Sequence, residues 1–247
     1  MILKLYYNNM TNQVIKGDCL EVMKEIPDKS IDMILCDLPY GTTACKWDTI
    51  IPFEPLWEQY KRIIKDNGAI VLTASQPFTS ALVMSNPDMF KYALVWDKVK
   101  GTGFLNARKQ PMRNHEDILV FYKKSPVYNP QKTTGHTRKK SFRGKHLQTE
   151  VYGKMKNDYQ YDSTDRYPRS IQVFSTDTQN SSLHPTQKPV ALFEYLIKTY
   201  TNEGDLVLDN CAGSGTTGVA CKNLNRNFIL IEKEQEYIDI IHKRLAQ

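Results

Sequence analysis

Along the first 122 residues the hydrophobic pattern switches between two periods: short apolar runs closed by turn residues, and stretches where apolar side chains recur every three or four positions. The runs predict strands within Asn12–Asp18, Ser30–Cys36, Ala69–Thr73, Tyr92–Trp96 and Glu116–Tyr122. Between them, Cys19 to Ile26, Phe53 to Lys65 and Pro77 to Met84 have helical spacing. In the second of these, Leu56, Trp57, Tyr60, Ile63 and Ile64 share a face, and Asn67-Gly68 supplies a stop. From Lys123 to about Leu183 the pattern lapses into Pro, Asn, Ser, Thr, Lys and Arg, with aromatic residues scattered among them. This stretch predicts a loop-rich module or insertion, parts of which order on binding. Periodicity then resumes: helix over Val190 to Tyr200, strand over Leu206 to Asp209, helix over Thr216 to Leu224, strand over Asn227 to Glu232 and helix over Gln235 to Leu245. Runs such as Ser30–Cys36 lack the alternation of a strand with one wet face, so they predict buried parallel strands in an α/β fold.

Composition narrows this little, but charge does. A chain of 247 residues with 40% apolar content can bury a real core, as one large domain or two small ones. It has no apolar run of about 18 residues, the length a membrane helix needs, and its first residues lack a signal-peptide core, so a soluble intracellular protein is expected. Five scattered cysteines without a Cys-x-x-Cys pair point to reduced, packed thiols, with neither a disulfide framework nor a metal site. Twelve Lys or Arg against five acids fall between Lys123 and Leu183, a surplus of seven in a chain whose whole net charge is +6. The basic excess therefore lies in the unpatterned segment, as in a polyanion-binding element.

Two strings stand at predicted strand ends, where open α/β sheets bind ligands. After Leu206–Leu208 comes Asp209-Asn210-Cys211-Ala212-Gly213-Ser214-Gly215-Thr216-Thr217, which opens a helix and is followed by Glu232 at the end of the next strand. Glycines let backbone approach a ligand, the helix start offers free N–H groups, and an acid at the next strand end suits ribose hydroxyls. A nucleoside cofactor is implied, either a dinucleotide or S-adenosylmethionine. Asp209 favours the second, because a carboxylate repels a pyrophosphate and accepts from a cationic amino group. The plainer alternative is a glycine turn that only links strand to helix.

The other string is Asp37-Leu38-Pro39-Tyr40. An exocyclic base amine has its lone pair delocalised into the ring and is a poor nucleophile. Asp37 and the Leu38 carbonyl can accept its N–H bonds and favour tetrahedral nitrogen, Pro39 fixes the backbone, and Tyr40 can stack on the base. Alone, the string could equally be an ordinary strand-ending turn.

Together these residues resemble the amino-group DNA methyltransferases, whose patterns are D-P-P-Y or S-P-P-Y for catalysis and D-P-F-x-G-S-G-T-T for the cofactor. The catalytic string comes first here, as in the permuted β arrangement, with a target-recognition region between the halves. His184-Pro185-Thr186-Gln187-Lys188-Pro189 resembles the family's H-P-T-Q-K-P string, and Asn114-His115-Glu116 matches a string before a late strand. The sequence departs from the patterns at Leu38, in place of the first Pro, and at Asn210-Cys211, in place of Pro-Phe.

The resemblance implies a Rossmann-like S-adenosylmethionine-dependent fold, its mostly parallel sheet flanked by helices on both faces and carrying a loop-rich basic insertion. It divides the chain into a catalytic half (1–122), a target-recognition region (123–183) and a cofactor half (184–247). It assigns catalysis to Asp37, Leu38, Pro39 and Tyr40, and cofactor binding to Asp18, Asp209, Ala212, Gly213, Ser214, Gly215, Thr216, Thr217 and Glu232, with Thr186 and Lys188 near the methionyl end. His184 and His115 are expected to cap or pack. Double-stranded DNA is the implied partner, met by Arg138, Lys139, Lys140, Arg143, Lys145, Arg166 and Arg169 of the basic segment. The resemblance further leaves room for a homodimer and a restriction enzyme acting on the same site, in a bacterial or phage cytoplasmic setting. Asp at position 37 favours adenine N6 over cytosine N4. A nicotinamide-dependent oxidoreductase explains the glycines and Glu232 but not Asp-Leu-Pro-Tyr, and a non-catalytic DNA-binding protein on this scaffold is the rival of another class.

Overall fold

The structure is a computed structural model that describes residues 11–41, 48–144, 148–150, 153–154, 157–176 and 187–247. In chain order the first half runs β1 (Gln13–Lys16), α1 (Cys19–Glu25), β2 (Ile31–Asp37), α2 (Phe53–Ile63), β3 (Ile64–Ala74), α3 (Phe78–Ser85), β4 (Phe90–Thr102) and β5 (Arg113–Phe121). Four short strands follow, β6 (Lys139–Arg143), β7 (Gln148–Thr149), β8 (Gly153–Lys154) and β9 (Tyr159–Ser163), and then β10 (Ile171–Val173). The second half is α4 (Val190–Tyr200), β11 (Leu206–Asp209), α5 (Thr216–Asn223), β12 (Asn227–Glu232) and α6 (Gln235–Leu245).

Eight strands form one sheet in the order β1-β12-β11-β2-β3-β5-β4-β10. Every neighbouring pair is parallel except those of β5, which runs against β3 and β4. The unbroken apolar run of β2 is explained by cover on both faces. Ile34 and Cys36 pack with Met23 of α1, Trp57 and Tyr60 of α2 and Phe78 of α3. Met33 and Leu35 point the other way, toward Leu196 of α4, Cys221 of α5 and Ile241 of α6. Helices therefore lie on both faces, as expected, and the parallel strands deliver Gly17, Glu232, Asp209, Asp37 and Ser75 to one edge of the sheet. Because β5 is antiparallel, its beginning, Arg113 to Glu116, reaches that edge too.

Two sequence expectations need correction. Helix α2 stops at Ile63, and Asn67-Gly68 lies inside β3 instead of ending the helix. Ile64 is already extended and pairs with Ile31, and Gly68 permits a close approach: a Cβ there would sit 2.7 Å from Ile64 Cδ1 and 2.8 Å from the Asp32 carbonyl oxygen. The second correction is β10, which arises in the unpatterned segment and adds to the sheet edge beside β4 (Ile171 opposite Val95). Its exposed, three-residue pattern carries no core signal.

Pro130–Arg169 is a separate compact unit. Its strands β6 and β9 pair antiparallel, as do β7 and β8. Arg166 anchors this unit from within, donating to the carbonyls of Asp165 (2.7 Å), Ser163 (3.1 Å) and Thr137. Among the described residues no helix is long and apolar enough to cross a membrane, and no group of three or more His, Cys, Asp or Glu could hold a metal ion.

Candidate active site

A cavity of about 490 Å³ opens at the strand-end edge, and both strings line it. Six carboxylates border it (Asp18, Asp37, Asp48, Glu116, Asp209 and Glu232) against four basic side chains (Lys98, Arg113, Lys188 and Lys233). The balance suits a ligand with cationic character and opposes a polyphosphate.

Asp37 ends β2 with its carboxylate nearly saturated. Tyr40 donates to Oδ1 at 2.7 Å, and Thr73 of β3 donates to the same oxygen. Oδ2 meets the Lys188 ammonium at 2.8 Å. A carboxylate offers about four lone-pair positions, so one remains, on Oδ2. The Tyr40 ring stacks on Phe78 with centroids 5.2 Å apart, and Lys188 Nζ lies 5.6 Å from its centroid. Burial and the Asp37 carboxylate push the Tyr40 phenol well above its ordinary pKa, so it stays a donor.

Lys188 continues the network inward. Its Nζ lies 3.1 Å from Glu116 Oε2, and Lys98 meets Glu116 Oε1 at 3.1 Å. Both ammonium groups flank Trp96, each 6.0 Å from the ring centroid, and the indole donates to the Phe174 carbonyl at 2.8 Å. Burial works against the Lys188 charge, but Asp37 and Glu116 outweigh it and hold its pKa above the ordinary lysine value. Glu116, Lys98 and Thr73 drew no role from the sequence. The only available signal was the Asn114-His115-Glu116 string, which marks a position and not a partner.

On the cofactor side the glycine loop is tied to its neighbours. Gly213 N–H donates to Glu232 Oε2 at 2.8 Å, and Glu232 Oε1 accepts from the N–H groups of Lys233 (2.8 Å) and Glu234 (3.0 Å). Gly215 sits at φ +81°, where a Cβ would also lie 2.9 Å from Ile241 Cγ1, so no other residue fits without strain. Arg244 of α6 donates to the Ser214 carbonyl at 2.7 Å and lies 3.3 Å from Thr216 Oγ1. Asp209 is 3% exposed and accepts from Cys211 N–H at 3.1 Å and from the Thr217 hydroxyl. Asp18 caps α1, accepting from Leu20 N–H at 2.9 Å. Asp18, Asp209, Ala212, Gly213, Ser214, Thr216, Lys188 and Glu232 all line the cavity, whereas Gly215 and Thr217 do not. Thr186 and Lys145 lie outside the described residues.

The departures at Asn210-Cys211 have local partners. The Asn210 side-chain amide oxygen accepts from buried Tyr60 of α2 at 2.5 Å, a contact no proline could make. The Asn210 side-chain N–H donates to Cys211 Sγ at 3.5 Å. Burial pushes Cys36 up to about 12, which keeps it a thiol.

The family model described as DNA methylase matches residues 31–243, from β2 into α6. The chain belongs to the DNA methylase family. This methylase is 30% identical to the Type II methyltransferase M.HinfI of Haemophilus influenzae, over 100% of the chain and 71% of that protein. It is 29% identical to the Type II methyltransferase M.HpaI of Haemophilus parainfluenzae, over 96% of the chain and 74% of that protein. Among solved structures, the M1.HpyAVI–SAM complex superposes with a TM-score of 0.66 at 28% identity, covering 95% of the methylase and 99% of that chain. The cytosine-N4-specific PvuII DNA methyltransferase shares the fold, with a TM-score of 0.69 at 17% identity over 96% of the methylase and 87% of that chain.

Asp209 carries the clearest electrostatic consequence. Burial raises its pKa from 3.8 to about 6 against the pull of Thr217 and Cys211. The folded methylase therefore holds this proton more tightly than the unfolded chain does. Its stability from this group is full below pH 3.8 and is lost as pH rises through about 6, at a cost of about 3 kcal/mol. Asp209→Asn forfeits about 1 kcal/mol of hydrogen bonding, so it is expected to be more stable than wild type at pH 7.5 and to lose that pH dependence. Thermal melts of both proteins from pH 4 to 8 check this, and parallel profiles would contradict it.

Proposed function

We propose that this DNA methyltransferase transfers the methyl group of S-adenosylmethionine to N6 of an adenine flipped out of double-stranded DNA at a specific sequence. The observation that carries the reading is that Asp37, the glycine loop and Glu232 line one cavity, so an amine on Asp37 and a cofactor on the loop would share a single space. A duplex hides its amines in the base stack, which makes base flipping a requirement.

The cavity's residues fit the cofactor. Glu232 stands at the end of β12 where a ribose would lie, and Asp209 lies below the loop where a cationic amino group would be accepted. Asp18, Ala212 to Thr217 and Lys188 would complete the binding surface, with Thr186 assigned by resemblance alone. S-adenosylmethionine supplies an electrophilic methyl group on a sulfonium. The chain's own residues prepare the acceptor. The remaining lone pair on Asp37 Oδ2 takes one N–H of the adenine amine, and the Leu38 carbonyl takes the other. Tyr40, clamped by its bond to Asp37 and backed by Phe78, offers the stacking surface. Pro39 holds the two acceptors in register.

The basic unit is read as the target-recognition element. Lys139, Lys140 and Arg143 are exposed on β6, next to exposed Arg138, and suit phosphate contacts. Arg138 and Lys140 share Asp162 at 2.6 and 3.6 Å, and Arg166 is spent on backbone carbonyls, so these three contribute less than a residue count suggests. Arg169 is exposed at the end of the unit. The Type II names of the relatives support a modification enzyme working beside a restriction enzyme of the same site, and a homodimer is proposed on the family resemblance alone.

The test is methyl transfer from labelled S-adenosylmethionine to unmethylated mixed-sequence DNA, followed by nucleoside analysis. N6-methyladenine is expected. N4-methylcytosine would overturn the base assignment, and absence of label in DNA with the cofactor bound would overturn the substrate.

A further inference from the structure

The loop joining β4 to β5 presents the most exposed large apolar pair among the described residues, Phe104 at 73% and Leu105 at 84%. Resting on the base-flipping reading above, we propose that this loop is a wedge that enters the DNA base stack and occupies the space vacated by the flipped nucleotide. The wedge is ordered in advance. Phe104–Asn106 form a tight helical turn, with Asn106 N–H bonded to the Gly103 carbonyl at 3.0 Å and Ala107 N–H to the Phe104 carbonyl at 3.1 Å. Gly103 enters it at φ +85° with nothing within 4 Å of its missing Cβ, so the glycine serves the direction of the chain and not its packing.

The loop's place and charge point to its partner. Its two ends, Thr102 and Arg113, line the same cavity as Asp37, and the Thr102 hydroxyl ties them by donating to the Arg113 carbonyl at 3.0 Å. Between Lys98 and Arg113 the chain has five basic residues and no acid, and Lys100, Arg108 and Lys109 are exposed around the apolar tip. A second copy docking here by twofold symmetry would oppose one positive patch with another, whereas a duplex offers phosphates for the cations and a stack for the tip. Where β4 leaves the sheet, pairing with β5 is interrupted between Asp97 and Thr102, and Val99 takes φ +67°. A β-branched residue is strained there, as at segments shaped by function more than by folding.

The test uses the full chain and duplexes carrying the site that wild type methylates, with Phe104→Ala/Leu105→Ala compared to wild type. Both side chains are exposed, so the fold and cofactor affinity should survive. On a matched duplex the double variant is expected to methylate about 10-fold or more slowly, since flipping costs a few kcal/mol. With the target adenine opposite an abasic site, where the pair is already broken, its rate should approach wild type. Equal losses on both duplexes, no loss on either, or a changed oligomeric state in sedimentation would overturn the wedge. No rise in the fluorescence of 2-aminopurine at the target position when wild type binds the matched duplex would instead overturn the base-flipping reading, and the wedge with it.

Discussion

Asp37→Ala is expected to slow methyl transfer by about 10³-fold, within the range that a positioned acceptor contributes, while cofactor affinity changes little. The carboxylate keeps a lone pair on Oδ2 for the target amine, because Tyr40 and Thr73 hold its other oxygen. Alanine also strips Lys188 of the partner at 2.8 Å, so part of the loss could come from a rearranged ammonium. Asp37→Asn keeps the shape. Tyr40 and Thr73 hold its amide oxygen on their side, so its amide nitrogen replaces Oδ2 before Lys188 and the target amine, and it should be nearly as slow as alanine. Single-turnover rates with saturating cofactor, alongside calorimetric cofactor binding, give the comparison. Near wild-type turnover in either variant would remove Asp37 from the chemistry.

Lys188→Met is expected to lower stability by about 3–5 kcal/mol, the usual cost of removing one member of a buried ion pair. The lysine side chain is 8% exposed and stands between Asp37 and Glu116, and Lys98 on the far side of Glu116 cannot reach Asp37's role as counter-charge. Because the Lys188 pKa lies above its ordinary value, its contribution is fully present through neutral pH and is lost only in strong alkali. Adding Asp37→Asn, which removes the orphaned charge and leaves the Lys98–Glu116 pair intact, should restore part of the stability. Urea titrations of both variants measure this, and a deficit below about 1 kcal/mol, the worth of an exposed pair, would mean that the network is solvated.

The sequence carried the parts of this molecule that are local. Helices such as Val190–Tyr200 and Gln235–Leu245 were legible to the residue because each keeps one apolar stripe and its neighbours supply the stops. The Gly213–Thr217 loop was legible because glycines between a strand and a helix have few other uses. What escaped was set by tertiary contact. Asn67-Gly68 has the chemistry of a helix stop, yet pairing of Ile64 with Ile31 overrides it. The antiparallel course of β5 leaves no trace in an apolar run, so the arrival of Glu116 at the site edge could not be foreseen. Lys188 was expected beside the cofactor and is found bonded to Asp37, across 151 positions of chain that no pattern connects. Asn210, a departure from the family pattern, makes sense only once Tyr60 is seen above it.

Strand β2, which bears Asp37, pairs on one side with β3 and on the other with β11, where Met33 faces Val207. The first partner is made within moments of β2 itself, but the second follows 174 residues later. At cellular synthesis speeds of about 5–20 residues per second, that interval is about 10–35 s. Throughout it the nascent chain holds an apolar strand with an open edge, a template for mispairing with other chains. Production of this enzyme should therefore respond to growth temperature and chaperone supply more than its finished stability suggests, and fragments ending before Leu206 should accumulate as aggregates.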